Sequence, residues 1–207
     1  MAACAATQAL AVTPGEDVNL RRRVLAVVES TSREWDAAFR AQGGAYDAPR
    51  VLMLRSPIGH PARGAGYSLG LVVIDLNDIA ALEAVFAQDS ALAALVIAHE
   101  VGHHVQALTD GPANRGEDPE ILELRADCYA GWWLGRAHAR SPVDYPIPNL
   151  QRRLPEMLGL LSVLQAGHLL AASEAEIHGA IPQRLEAVRQ GMAADDPKVC
   201  VHPPGRT

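Results

Sequence analysis

Apolar positions recur at helical spacing along most of this chain, and only two short runs break the rhythm. Over residues 18–43, Leu20, Val24, Val27, Val28, Trp35 and Phe39 fall near an i, i+3, i+4 pattern. That predicts an amphipathic helix, ended by Gly43-Gly44. Two runs rich in aliphatic and β-branched residues follow, at 51–55 and 71–75, and predict strands. Pro57, Gly59, Pro61, Gly64 and Gly66 between them predict a loop. From Asp78 onward the pattern is mostly helical. Asp89-Ser90 is placed to cap a strongly apolar helix that stops near Thr109-Asp110-Gly111-Pro112. Pro119 suits the first turn of another helix reaching about Ala139. Further helices are predicted near 150–166 and 182–192, ahead of a Pro-rich tail.

This order predicts an α+β protein, predominantly α-helical, with a small two-stranded sheet. No internal repeat or low-complexity block interrupts it. At 207 residues one domain is expected. We place a flexible N-terminus at 1–17, the domain at 18–200 and a tail at 201–207.

Composition changes the picture little. Apolar residues make up 49 % and charged residues 20 %, as in ordinary globular proteins, while scarce aromatics and abundant Ala and Leu favour close helix packing. The net charge of −6 carries no basic stripe, which argues against a nucleic-acid partner. No run is long enough for a membrane span. The opening "MAACAATQALAVTPGE" lacks a basic n-region and reads poorly as a signal peptide. "MAAC" resembles the end of a lipoprotein signal, which would need a start codon upstream. The chain is thus expected to be soluble as given, and an extracytoplasmic location depends on such a start. The three cysteines, Cys4, Cys128 and Cys200, include no CxxC pair, so neither a disulfide framework nor a zinc ribbon is indicated. A Cys128–Cys200 disulfide and two unpaired thiols are equal readings.

The chemistry lies in "HEVGHH" at 99–104, an HExxH pattern inside the most apolar predicted helix. His99 and His103 are i and i+4, so both imidazoles leave one face a turn apart and can share a Zn²⁺. Glu100 beside them can serve as general base toward a water activated at the metal. Chance would produce HExxH in roughly 0.02 chains of this composition, which makes coincidence a weak explanation. The alternative is a helix whose polar residues simply face solvent. It fits poorly with Leu95, Val96, Ile97, Val101 and Val105, since two His and a Glu buried among them are costly without partners.

A catalytic zinc needs a third protein ligand and an open position. In "EDPEILELRADCYAGWW", Glu123 and Asp127 are again i and i+4. Glu123 is read as the third ligand and Asp127 as an acceptor behind a ligand histidine, fixing its tautomer. Glu117, Asp118 and Glu120 are read as an ordinary solvated acidic face. His104 points about 100° away from His103, and so should bond locally or line the cleft. Gly102, which costs roughly 1 kcal/mol against Ala in a helix, predicts close passage of another backbone. His60, His138, His168 and His202 have no spacing logic and are assigned to the surface or to structural roles.

"HEVGHHVQ", "ELRADCYAGWW" and "HGAIPQR" at 178–184, in that order, resemble the bacterial neutral zinc metallopeptidase family of YpfJ-like proteins. Gly191 and "DDPKVC" resemble the family's ending, and "GAGYSLGLVVIDLNDI" is a looser match. The resemblance spans roughly residues 50–200. It implies a zincin-like pair of active-site helices in the gluzincin arrangement: His99, His103 and Glu123 on one Zn²⁺, Glu100 as base and Asp127 behind them. A peptide or protein substrate follows. Family cysteines ahead of the active helix are absent here, as are a Gly-Asp-Asp stretch and the N-terminal anchor. His178 lies in the HG-x-x-x-QR motif. It is read equally as a catalytic donor to the tetrahedral oxyanion or as an anchor for its turn, with Gln183 and Arg184 tying helices together. Other zinc amidohydrolases of the deformylase kind use an upstream cysteine ligand, for which this chain has no suitable residue. A non-catalytic zinc-binding regulator is the alternative from another class, and the chain has no evident helix-turn-helix to support it.

Overall fold

The computed structural model describes residues 14–56, 65–85, 90–111, 116–141, 154–156 and 180–202. In chain order these form α1 (Pro14–Ala41), β1 (Arg50–Leu54), β2 (Ala65–Ser68), β3 (Leu71–Asp75), α2 (Leu76–Val85), α3 (Ser90–Thr109), α4 (Pro119–Arg140), α5 (Ile181–Ala193) and a 3₁₀ segment, η1 (Pro197–Val201). The fold is α+β and predominantly helical, with one small sheet.

Helix α1 begins at Pro14, ahead of the expected Val18. The reason is legible: Pro favours the first turn, and Glu16 and Asp17 follow there, where acidic groups are stabilised by the positive end of the helix dipole. Asp17 also accepts from Arg21 at 2.7 Å and from Arg55 at 2.8 Å, joining the helix to the end of β1. The buried stripe of α1 is Leu20, Val24, Val27, Val28 and Trp35, as the periodicity requires.

The sheet has three strands in the order β1-β3-β2, not two. β1 runs parallel to β3, pairing Val51 with Val72, and β2 runs antiparallel to β3, pairing Tyr67 with Val72. β2 was hidden because its four residues, Ala-Gly-Tyr-Ser, hold a single strong strand former. Tertiary pairing and the tight turn at Leu69-Gly70 supply what propensity lacks. Both turn residues have positive φ, 49° and 77°, the conformation that two-residue hairpins favour.

α3 packs on the sheet with one face and on α1 and α4 with others, so it is buried nearly all round: Ala94, Leu95, Ile97, Ala98, Val101 and Val105 are core residues. It begins at Ser90; Asp89, the other half of the expected cap, lies outside the described residues. α4 starts as anticipated at Pro119. Asp118 caps it by accepting from the Glu120 N–H at 3.0 Å, and Glu117 accepts from Arg125 at 2.9 Å. These two acids are therefore structural partners and not a solvated face, because the helix start needs an acceptor and Arg125 is buried.

Small residues bring the helices together. A methyl group on Gly102 of α3 would lie 3.0 Å from the Ala126 carbonyl oxygen and 3.1 Å from its Cα, so the two backbones touch where Gly102 predicted a close passage. Between α4 and α5, Gly131 and Gly191 have the opposing backbone where a Cβ would sit. Cys128 and Cys200 are joined by a disulfide that fastens η1 to α4. Of the helix expected near 150–166, only residues 154–156 are described; they are helical, with Leu154 buried.

Candidate metal centre

The contact at Gly102 has a direct consequence. It sets α3 against α4 at the level where one carries His99 and His103 and the other Glu123 and Asp127. His99 Nε2 lies 3.1 Å from His103 Nε2 and 3.1 Å from Glu123 Oε2, while His103 Nε2 lies 3.3 Å from Glu123 Oε1. Among the described residues these three form a cluster with one ligand atom from each, all within 4.8 Å of one another. The His103 side chain is 18 % exposed against 9 % for His99, so the cluster opens on the His103 side.

Each imidazole is held from behind. His99 Nδ1 lies 2.9 Å from Asp127 Oδ1. Asp127 in turn accepts two hydrogen bonds from Arg184, from Nε at 2.8 Å and from Nη2 at 3.1 Å. Burial works against the Asp127 charge, but Arg184 and His99 outweigh it and hold the carboxyl down at about 2. An ionised carboxylate only accepts, so His99 carries a proton on Nδ1 and turns Nε2 to the cluster. His103 Nδ1 lies 3.0 Å from Gln106 Oε1.

The ring nitrogens and carboxylate oxygens facing one another are all acceptors when both imidazoles are neutral with the proton on Nδ1, and acceptors at 3.1–3.3 Å repel unless something positive lies among them. The electrostatics ask for the same thing. Burial disfavours a charge on His99, yet Asp127 and Glu123 push its pKa up to about 10. A divalent cation satisfies this demand and gives every donor atom a partner. Two imidazoles and a carboxylate are also a donor set that zinc accepts.

Glu100 is 8 % exposed and follows His99 on α3. Burial works against the charge on Arg184, but Asp127 above all, then Glu123 and Glu100, raise its pKa. Glu100 thus belongs to the same electrostatic neighbourhood.

The model of the family described as "Putative neutral zinc metallopeptidase" matches residues 1–202. This chain belongs to that family. The chain is also similar to YpfJ of Escherichia coli K12 and Rv2575 of Mycobacterium tuberculosis H37Rv. YpfJ is 26 % identical over 219 residues, covering 91 % of this chain and 73 % of its own length. Rv2575 is 24 % identical over 213 residues, covering 90 % and 72 %. Both are named as uncharacterized proteins. No solved structure matches the chain.

For this zinc metallopeptidase family member, the fold brings together four of the residues singled out in the sequence: His99, His103, Glu123 and Asp127. His178 lies outside the described residues, as do His60 and His168. His104 does not bond locally. Its Nε2 lies 2.6 Å from the Asp47 carbonyl oxygen and its Nδ1 3.3 Å from the Tyr67 hydroxyl, which fastens α3 to β2 and to the segment before β1. The reason is its direction: 100° round the helix from His103, it faces the sheet. His138 is half-buried near the end of α4 and His202 is exposed, both apart from the cluster. Sequence reasoning missed Gln106, although its i+3 spacing from His103 was a usable signal. It saw Arg184 only as a tie between helices. No helix among the described residues is long and apolar enough to cross a membrane.

Proposed function

We propose that this chain is a zinc-dependent peptidase of the gluzincin kind, with His99, His103 and Glu123 holding one Zn²⁺ and Glu100 acting as general base. One observation carries the reading: two imidazole nitrogens and a carboxylate converge on a single point, with one ring fixed from behind by a buried carboxylate. Zinc bound there would acidify a water and polarise the scissile carbonyl.

The residues of the chain do the rest. Three protein ligands leave an open position, and the more exposed His103 side is where a peptide gains entry. Glu100 takes a proton from the attacking water and returns it to the leaving amine. Its location beside His99, in an apolar and largely buried stretch of α3, favours proton transfer over solvation. Asp127 keeps His99 in the productive tautomer, and Arg184 keeps Asp127 ionised and in place. Arg184 also keeps a positive charge near Glu100 and Glu123, which offsets part of the repulsion among three carboxylates.

The test is metal content followed by turnover. Purified protein should hold about one zinc per chain, and it should cleave members of a broad peptide library in a chelator-sensitive way. Bound zinc without any cleavage would favour a non-catalytic zinc-binding protein. Absence of zinc under conditions that retain it would end the reading altogether.

A further inference from the structure

His103 can bind a cation through Nε2 only if its ring proton is on Nδ1, and a neutral imidazole places that proton on either nitrogen. Something must decide, and the residue next to Nδ1 is Gln106, one turn further along α3 and 2 % exposed.

Which end of the Gln106 amide faces the ring follows from its other partner. Gln106 Nε2 lies 2.6 Å from the Leu122 carbonyl oxygen. A main-chain carbonyl only accepts, so the NH₂ group must face it and donate. The amide oxygen therefore faces His103, at 3.0 Å, and can only accept. The proton is thereby assigned to Nδ1, and the Nε2 lone pair is turned to the cluster. Leu122 immediately precedes Glu123, so the same side chain also grips the turn of α4 that supplies the carboxylate. Asp127 does this for His99 with a charge; Gln106 does it for His103 with a neutral amide spanning two helices.

We propose that Gln106 is a positioning residue for zinc: bridging His103 Nδ1 and the Leu122 carbonyl, it fixes the tautomer and rotamer of His103 and the distance from His103 to Glu123. The inference rests on the zinc reading of the site. It predicts that the acceptor facing His103 matters for metal affinity, whereas the donor facing Leu122 matters mainly for holding the helices together.

Two variants separate these roles. Gln106→Leu removes both bonds. Gln106→Glu restores an acceptor for His103 Nδ1–H but loses the donor to Leu122. Zinc affinity is measured by chelator competition on the full chain, alongside melting of each metal-free form. Gln106→Leu should bind zinc roughly 10–100-fold more weakly than wild type, the usual scale for a partner behind a metal ligand. Gln106→Glu should recover most of that loss, although both variants melt earlier than wild type. Wild-type affinity in Gln106→Leu would overturn the inference. So would equal weakening in both variants, because a helix tie alone predicts that result. Either outcome leaves the zinc site standing, whereas failure of wild type to bind zinc would overturn the site reading and this inference together.

Discussion

Asp127→Asn removes one charge from the most deeply buried ionic contact of the site while keeping its shape. In the wild type, Asp127 accepts from Arg184 at 2.8 and 3.1 Å and from His99 Nδ1 at 2.9 Å, with Asp127 2 % and Arg184 5 % exposed. The substitution leaves the buried guanidinium without its hydrogen-bonded counter-charge, and the weaker influence of Glu123 and Glu100 does not replace it. Breaking a buried pair from one side typically costs about 3–5 kcal/mol. The carboxyl held down at about 2 points to the lower end, since a fall from 3.8 to about 2 corresponds to a preference of about 2–3 kcal/mol for the charged form. For a domain of this size about 3 kcal/mol lowers the melting temperature by roughly 6–12 °C. Calorimetry of the metal-free proteins reads this directly. Zinc affinity should fall in parallel by roughly 10–100-fold, because His99 loses a charged orienting partner. Adding Arg184→Met to Asp127→Asn separates the two effects. Removing the stranded cation should recover much of the melting temperature and none of the zinc affinity. An unchanged metal-free melting temperature in Asp127→Asn would refute the energetic argument, and unchanged zinc affinity would refute the orienting role.

Glu123→Ala should strip or severely weaken zinc in a competition assay, whereas Glu120→Ala, three residues earlier on α4, should leave it intact; equal binding would mean the third ligand is another residue. The stability that separates wild type from Asp127→Asn should depend on acid. Asp127 is lowered on folding, so its contribution is complete above about pH 4, near the unfolded value, and is lost as pH falls toward about 2. Melting curves of the metal-free proteins across that window check it, and a gap that widened on acidification would reverse the sign of the reasoning. Thiol titration of the unfolded, unreduced chain should find one free cysteine, Cys4, and three after reduction. Closing the 72-residue separation between Cys128 and Cys200 should contribute roughly 4 kcal/mol, so reductant should lower the melting temperature.

The candidate metal cluster was the most legible part of the chain, because a helix turns an i, i+4 spacing into a shared face without help from the rest of the fold. His99 with His103, and Glu123 with Asp127, are two such pairs. Gly102 added the third dimension, since a helical glycine among apolar residues marks where a second backbone passes, and Ala126 is there. What the sequence concealed depends on partners far along the chain. β2 is a strand because β3 lies beside it, not because Ala-Gly-Tyr-Ser prefers to be extended. Arg184 finds Asp127 across 57 residues, through a packing of α4 on α5 at which Gly131, Gly135 and Gly191 hint. Glu117 read as surface charge, since nothing local shows that Arg125 is buried beneath it, whereas the cap role of Asp118 was signalled by Pro119 at the first turn and was overlooked. The pairing of Cys128 with Cys200 was an even choice until the end of the chain was seen to fold back on α4.

The proposed chemistry rests on Glu100, which adjoins the proposed ligand His99 yet is not assigned to hold zinc. Glu100→Gln keeps its size and hydrogen-bonding capacity and removes the base. The measurement is hydrolysis of one peptide library by wild type and by Glu100→Gln, with zinc content and melting temperature determined for both. The account predicts about one zinc per chain in each, similar melting temperatures, and a fall in hydrolysis of roughly 100-fold or more in the variant. Undiminished hydrolysis by zinc-loaded Glu100→Gln would contradict it.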